Sequence, residues 1–134
     1  MGASENLAVH TALTDAENRH DLSHHDDYLH DDIEMHIIGG EVQVAIDAYV
    51  AMVQSLYATL DGFSVVLDDQ FATDDRVVCR WRAHARHTGD FAGFPATGKQ
   101  IEVPGMSLWE FDHSKARRGW AFLDLASLMA QLQG

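Results

Sequence analysis

The stretch RVVCRWRAHARHTGD, residues 76–90, alternates between two kinds of side chain along most of its length. Its odd positions are mainly apolar from Val77 onward, and its even positions are mainly basic from Arg80 to Arg86. Because successive side chains of a β-strand point to opposite faces, this period predicts a long strand with one apolar and one cationic face. We expect it to lie at the centre of a sheet, as one arm of a hairpin over residues 76–111.

Further alternating stretches on both sides predict the other strands. They cover residues 33–38, 63–71, 100–111 and 117–124. Gly39 and Gly40 end the first of them. Since the later strands follow one another with only turns or a short loop between them, they predict an antiparallel meander.

Apart from the strand at residues 33–38, the first sixty residues show helical patterns instead. A first helix is expected to continue to about His25, and a short second turn of helix is expected over 24–29. The third helix, over 42–60, is the clearest, because its apolar side chains recur at the spacings of one helix face. With a short C-terminal helix over 125–132, these elements predict an α+β fold. Its three N-terminal helices pack on one side of a strongly curved, mainly antiparallel sheet.

Length and charge restrict the class of protein. At 134 residues the chain fits a single domain, residues 1–134, and hydrophobic residues make up 46% of it, which is enough for a core. Asp and Glu number 21 against 9 Lys and Arg, so the formal net charge is −12. This excess of negative charge disfavours nucleic acid and anionic membranes as partners.

The sequence gives little indication of a disulfide bond or a metal site. The one cysteine, Cys79, cannot form an internal disulfide or a cysteine-built zinc site, and its apolar neighbours predict a buried side chain. His20 and His24 stand four residues apart on the first predicted helix, which is a spacing compatible with a zinc pair. A solvated helix face accounts for them equally well, so we predict no metal.

Signals for export or membrane insertion are not visible either. The N-terminus has no basic segment followed by an apolar run, and no apolar stretch is as long as a membrane helix. The sequence therefore predicts a cytoplasmic protein.

The loop after the long strand and the end of the chain match a known family. The segment HTGDFAGFPATGK, residues 87–99, resembles the loop of SnoaL-like polyketide cyclases, and WAFLD, residues 120–124, resembles the last strand of that family. The order of helices and strands is similar to that of the NTF2-like cone, which is the fold of the family. The tail is also similar, through Leu128, Gln131, Leu132 and Gly134.

The resemblance implies a cofactor-free enzyme that closes a ring in a polyketide-type ester by an intramolecular aldol reaction. In the family, the aspartate that matches Asp124 is the proposed acid/base, which takes a proton from the attacking carbon and returns one to the attacked carbonyl. The chain departs from the family at Ala96, where a second proline is usual, and at Gly119, where glutamate is common. The fold also carries hydroxylases, dehydratases, isomerases, epoxide hydrolases and non-catalytic ligand-binding modules, so these alternatives stay open.

The residues around Asp124 support two roles for its side chain. Apolar neighbours on both sides predict a poorly solvated carboxyl group, which suits proton transfer near neutral pH. Its position before the last predicted helix also predicts an N-cap, and the two roles are compatible. His36, in the first predicted strand, is the second catalytic candidate, because a histidine near the aspartate could polarise a carbonyl.

A wide pocket with aromatic walls is expected to hold a hydrophobic small molecule. Trp120 and Phe122 share the strand parity of Asp124, so we take their face of the last strand as the pocket wall. The predicted substrate-binding residues are Trp120, Phe122, Trp109, Tyr49, Met106 and His87.

The second face of the sheet is expected to be uncovered in a cone of this kind. The long strand carries Val77, Cys79 and Trp81 on one side, and an apolar sheet face of that size predicts a homodimer or homotetramer formed sheet to sheet. The arginines on its other side could hold an anionic substrate, but such a row more often faces solvent or pairs with carboxylates across strands.

Overall fold

One curved sheet of six strands forms the body of the structure, a computed structural model that describes residues 2–37, 40–91 and 93–134. The strands are β1 Leu29–Ile37, β2 Val42–Val44, β3 Leu60–Ala72, β4 Arg76–His87, β5 Gln100–Asp112 and β6 Lys115–Leu123. They lie in the order β2-β1-β6-β5-β4-β3. Neighbouring strands run antiparallel, except β1 and β6, which run parallel.

The helices lie on the concave side of the sheet and at one end of it. They are α1 Ala3–Asn18, α2 Ile46–Thr59 and α3 Leu125–Gln133, with one 3-10 turn at His25–Asp27. Helix α1 packs mainly on β3, α2 on β1 and β3, and α3 on β5. Within the described ranges, no helix is long and apolar enough to span a membrane. The arrangement confirms the predicted α+β fold, with the 3-10 turn as the second of the three N-terminal helical elements.

The inward side chains of β4 and β5 form the core, as the alternation predicted. Val77 and Cys79 of β4 are buried, and so is Trp109 of β5, against Tyr49 and Val53 from α2. Helices α1 and α2 therefore cover the apolar face that was expected to form a sheet-to-sheet interface. The prediction was wrong in its residues, because the helices pack on that face of the sheet and leave the opposite face open.

Two helix boundaries differ from the prediction because of left-handed backbone. Helix α1 ends at Asn18 and not near His25, since His20 has a φ of 58° and turns the chain away from the helix axis. Helix α2 begins only at Ile46, because Val42–Val44 pairs with β1 as a short edge strand. Ala45, with a φ of 80°, separates that strand from the helix.

A few predicted positions lie outside the described residues. These are the end of the first predicted strand at Ile38 and Gly39, and Ala92 in the loop that carries the family resemblance.

The loop between β4 and β5 is anchored at both ends. The backbone N–H groups of His87 and Gly98 bond to the carbonyls of Lys99 and His87, which continues the hairpin pairing for one step. The Lys99 Nζ atom lies 3.3 Å from the carbonyl oxygens of Gln131 and Leu132 at the end of α3, where a cation is favourable. These contacts fix the loop over the end of the sheet beside α3.

Candidate active site

A cavity of about 350 Å³ lies between the two N-terminal helices and the concave face of the sheet. That volume falls in the range of pockets that hold small molecules. Most of its walls are apolar, including Val53 and Leu56 of α2, Val103 and Trp109 of β5, and Leu128 of α3. Its few polar side chains are thus the candidates for chemistry.

Helix α1 contributes a polar stripe to the cavity. His10, Thr14 and Glu17 are spaced by four and three residues, so they lie on one face of the helix, and all three line the cavity with Asn18. The Asn18 amide donates to the carbonyl of Val65 at 2.8 Å and accepts from its N–H at 2.8 Å. This pair of bonds fixes the end of the helix, and therefore Glu17, against β3.

The Glu17 carboxylate is held on one oxygen and free on the other. Its Oε2 atom accepts a hydrogen bond from the Tyr49 hydroxyl at 2.8 Å and lies 3.0 Å from Nε2 of His25. Its Oε1 atom accepts no hydrogen bond from any residue in the described ranges. The side chain is 21% exposed, so the free oxygen is available to a ligand in the cavity.

The two groups that hold Glu17 are both buried. His25 is 2% exposed and its Nδ1 atom has no hydrogen-bond partner among the described residues, so we place its proton on Nε2, where it can be donated to Glu17. Burial raises the pKa of Tyr49 well above its ordinary value, and the neighbouring carboxylate of Glu17 adds to the rise. The tyrosine therefore stays a hydrogen-bond donor throughout the physiological pH range.

A second polar group lies on the same stripe, two helical turns earlier. The Nδ1 atom of His10 is 2.8 Å from Oε1 of Gln70, whose amide nitrogen donates to the Thr11 hydroxyl at 2.9 Å. This orientation of the amide leaves its oxygen as an acceptor, so Nδ1 of His10 carries the proton. The Nε2 atom of His10 then faces the Cys79 thiol, at 3.6 Å from Sγ.

Burial keeps this second group uncharged. It lowers the pKa of His10 and raises the pKa of Cys79 to about 11, so the thiol is protonated at neutral pH. Nearby, the Ser107 hydroxyl accepts a hydrogen bond from Nε1 of Trp81 at 2.9 Å and interacts with the Cys79 thiol as well. This end of the cavity offers neutral hydrogen-bonding groups, whereas the other end offers a carboxylate.

We expect acid to destabilise the protein through His10. The unfolded chain binds a proton at this histidine near pH 6.5, whereas the buried side chain binds it only at lower pH. The free energy of unfolding should therefore fall below about pH 6.5, by at most about 1.4 kcal/mol per pH unit from this group. Urea unfolding of the wild type and His10→Asn at pH 7 and pH 5.5 should show a smaller drop in the variant.

The matched control is His113→Asn, since His113 lies in a turn with its side chain 76% exposed. This substitution should leave the drop between the two pH values unchanged. An equal drop in His10→Asn and in the wild type would contradict the prediction.

Of the predicted site residues, Tyr49 and Trp109 line the cavity. Their ring centroids are 6.4 Å apart in an edge-to-face arrangement, and Tyr49 also carries the hydroxyl that holds Glu17. The sequence predicted aromatic walls, and these two residues supply them.

Asp124 does not line this cavity. It is exposed and caps α3, with Oδ1 accepting the backbone N–H of Ser127 at 2.9 Å. The N-cap interpretation is thus confirmed, whereas the poorly solvated environment expected from its apolar neighbours is not present. Those neighbours pack elsewhere, because the chain changes from strand to helix at this residue.

Trp120, Phe122 and Met106 lie on the convex face of the sheet, outside the cavity. Phe122 is 54% and Met106 is 50% exposed, and the Trp120 ring stacks on His36 with centroids 5.4 Å apart. The pocket wall was assigned to the wrong face, because alternation shows which residues share a face but not which face the helices cover, and Asp124 borders the same convex side as Phe122. The inward residues of this strand are Gly119, Ala121 and Leu123.

His87 is fully buried at the base of the β4–β5 loop and does not line the cavity. Its Nδ1 atom accepts the backbone N–H of Thr97 at 3.2 Å and lies 2.9 Å from that residue's hydroxyl. Its position indicates that it anchors the loop rather than contacts a substrate.

The arginines of the long strand pair with carboxylates. Arg82 makes two bonds of 2.8 Å to the two carboxylate oxygens of Asp68 and a third of 3.2 Å to Glu102. These bonds lower the pKa of Asp68. Arg80 lies 3.7 Å from Asp68 as well. The alternative of cross-strand ion pairs is therefore confirmed for these two arginines.

Glu17 and His25 were not identified from the sequence. Both lie in a segment rich in acids and histidines, where a single carboxylate does not stand out. The available signal was the spacing of His10, Thr14 and Glu17, which marks a polar stripe on a helix that also has a thin apolar stripe.

Comparison with known proteins agrees with the fold. The structure is similar to a SnoaL-like protein of Jannaschia sp. CCS1, with a TM-score of 0.89, 18% identity, and coverage of 98% of this chain and 94% of the other. TsrD from Streptomyces laurentii gives a TM-score of 0.85 at 24% identity over 96% and 95% of the two chains. A SnoaL-like polyketide cyclase from Agrobacterium tumefaciens gives 0.84 at 18% identity over 95% and 97%. No curated protein matches the sequence.

A family model extends the agreement to the sequence itself. The model of SnoaL-like polyketide cyclases matches residues 7–132, which is nearly the whole chain and includes most of α1 and most of the tail after β6. Fold and sequence thus lead to the same assignment: the chain belongs to the SnoaL-like polyketide cyclase family, with its NTF2-like cone.

Proposed function

We propose that the protein binds a hydrophobic polyketide-type ester in the central cavity and closes a ring in it by an intramolecular aldol reaction, with Glu17 as the acid/base. The observation that carries this proposal is the Glu17 carboxylate, which lines an apolar cavity with one oxygen held and with the other accepting no hydrogen bond from the described part of the chain. Membership of the family makes ring closure the first reaction to consider.

In the proposed reaction, Oε1 of Glu17 takes a proton from the carbon between two carbonyls of the ester. The resulting enolate carbon attacks a carbonyl in the same molecule, so a C–C bond forms while the C=O double bond becomes an alkoxide. The protonated carboxyl group returns its proton to that alkoxide, and no net proton is consumed. The bonds from Tyr49 and His25 keep the carboxylate in one orientation during both transfers.

The neutral groups at the other end of the cavity suit a carbonyl oxygen of the ester that lies away from Glu17. The Ser107 hydroxyl is fixed by the Trp81 N–H and can donate its hydrogen to such an oxygen. Because the surrounding walls are apolar, such a hydrogen bond is stronger there than it would be in water.

The alternative carboxylate is Asp124, which the family resemblance implies. We treat Asp124 as the competing candidate for the acid/base role, because its side chain is exposed and already caps α3. Substitution of each carboxylate distinguishes the two.

Proton abstraction can be tested without the natural substrate. A simple 3-keto ester is incubated with the protein in D2O, and the loss of the proton signal of the carbon between its carbonyls is followed by NMR. We expect the wild type to accelerate this exchange over buffer, and Glu17→Gln to abolish the acceleration. Exchange at the buffer rate in the wild type would contradict the proposed chemistry and favour a non-catalytic binding module.

We also propose that the protein forms a homodimer through the convex face of its sheet. Met106 and Phe122 lie directly opposite each other on β5 and β6, and both are about half exposed. Arg80 and Asp124 flank this apolar patch. In a two-fold arrangement, the patches of two copies pack together and Arg80 of one copy can approach Asp124 of the other, which gives two equivalent ion pairs.

Phe122→Glu is expected to convert the dimer to a monomer, because it places a charge in the centre of the apolar patch. Light scattering at high micromolar concentration measures the mass of each protein. Val44→Glu is the control. Val44 is 56% exposed on β2, which is an edge strand three positions away from β5 in the sheet, so this substitution should leave the dimer intact. A monomeric wild type would contradict the proposal.

A further inference from the structure

Helix α3 covers the part of the cavity that lies over the beginning of β5. Its Leu128 side chain lines the cavity together with Ile101 and Val103 of β5. Leu128 and Leu132 are 2% and 4% exposed, and they belong to an apolar cluster that is separate from the main core between α1, α2 and the central strands. The helix can therefore leave the sheet while the main core stays intact.

Polar contacts hold the last turn of α3 on the sheet. The Oε1 atom of Gln131 accepts the backbone N–H of Glu102 at 2.9 Å, and its Nε2 atom donates to the Glu102 carbonyl at 2.8 Å. The Lys99 Nζ atom lies 3.3 Å from the carbonyl oxygens of Gln131 and Leu132. We call the side chains of Gln131 and Lys99 the latch.

The latch lies where β5 extends beyond its neighbour β6. Strand β6 ends at Leu123, whose partner on β5 is Gly105, so in the described part of the chain no strand borders this side of β5 before Gly105. A strand edge without a neighbour leaves N–H and C=O groups unpaired, and Gln131 supplies both partners at Glu102. Because these bonds lie at the surface, water can replace them when α3 moves away.

The first turn of α3 is attached independently of the latch. The Asp124 N–H donates to the Pro104 carbonyl at 2.9 Å, and the Asp124 carboxylate caps the helix at the N–H of Ser127. The helix has nine residues and no charged side chain. Since an isolated helix of that length is marginal in water, α3 loses its helical hydrogen bonds readily once its last turn leaves the sheet.

We infer that α3 is a lid on the cavity, which turns about Asp124 and is held shut by the latch of Gln131 and Lys99. The inference rests on the proposed function only in taking the cavity as the ligand site. Opening exposes Leu128 and Leu132 to water, so the closed state predominates, and the latch determines how often the lid opens. Loss of the latch should therefore speed the entry and the departure of a ligand alike.

Hydrogen exchange tests the opening without a ligand. Amide exchange is followed by mass spectrometry in the wild type, Gln131→Leu and Lys99→Met. We expect exchange over residues 125–133 to become about tenfold faster in each latch variant, because each loses hydrogen bonds that keep α3 on the sheet. Exchange in β4 should not change. Gln133→Leu is the matched control, since it replaces the same residue type in the same turn, where Gln133 is exposed.

Ligand exchange tests the role of the lid. Stopped-flow quenching of tryptophan fluorescence by 2-naphthol measures the association and dissociation rates in a Trp120→Phe background, which removes the tryptophan of the convex face. Both rates should rise in Gln131→Leu and Lys99→Met. The dissociation constant should stay within about twofold of the background value, because the closed state still predominates. Gln133→Leu should match the background in both rates.

Three results would overturn the inference: unchanged hydrogen exchange in α3 of the latch variants, a dissociation rate that rises without the association rate, and a background protein that 2-naphthol does not quench. Circular dichroism confirms that each variant is folded, and Lys99→Met decides the question if Gln131→Leu does not fold. In Glu17→Gln, proton transfer should be lost while hydrogen exchange in α3 stays that of the wild type. A failure of the proposed chemistry and a failure of the lid therefore give different results.

Discussion

Glu17→Gln is expected to lower the rate of ring closure by about 10²–10⁴-fold, which is the usual contribution of a general acid or base. The amide oxygen of glutamine can still accept the hydrogen bonds from Tyr49 and His25, so the fold and the cavity walls should be retained. The amide nitrogen that replaces the free oxygen cannot take up a proton. Because the apolar walls supply most of the binding, the loss should appear in kcat and not in KM. Steady-state kinetics with a synthetic polyketide-type ester measures both constants.

Asp124→Asn is the matched control for this prediction. Asparagine caps helices about as well as aspartate, so α3 should keep its first turn and the rate should stay near that of the wild type. A large loss of rate in Asp124→Asn, together with normal kinetics in Glu17→Gln, would contradict the assignment. It would place the chemistry at the start of α3, where the family resemblance places it.

The sheet could be predicted largely from local alternation. The inward residues of β4, such as Val77 and Cys79, follow the period of two that the sequence displays, because a central strand buries one whole face. The edge strand Val42–Val44 was not predicted. Its apolar residues also fit the helical spacing of the following segment, and only the left-handed backbone of Ala45 separates the two elements.

The candidate site could be predicted only in part, because it depends on contacts between distant segments. Tyr49 was identified as an aromatic wall, but its hydroxyl meets Glu17 across 32 positions of the sequence. His25 reaches the same carboxylate only because the chain reverses at His20 after α1 ends. No periodicity within either segment indicates that such a turn brings their side chains together.

The face on which the aromatic residues of the last two strands lie is a second feature that the sequence could not predict. Trp109 and Trp120 both suggested a pocket wall, and alternation within each strand is regular. Alternation shows which residues share a face, but it does not show which face the helices cover. That choice depends on packing by α1 and α2, and it places Trp109 inside and Trp120 outside.

Substitution of these two tryptophans is expected to show the second large effect, which is on the free energy of unfolding. Trp109→Ala is expected to lower the free energy of unfolding by about 3–5 kcal/mol, because it leaves a cavity where a 5% exposed indole contacts His10 and Tyr49. Trp120→Ala removes an identical side chain from the adjacent strand, on the opposite face. It should cost about 1 kcal/mol or less, since it removes mainly the stacking on His36.

Urea unfolding at one protein concentration measures both changes and keeps any oligomeric contribution equal. The difference between the two variants is the informative quantity, because residue type, strand pairing and the change in volume are matched. Equal losses of stability would contradict the assignment of inward and outward faces in β5 and β6. A larger loss in Trp120→Ala would mean that the convex face is buried in the native assembly to a greater extent than the concave core, because the cost of removing an indole follows the apolar surface that it shields from water.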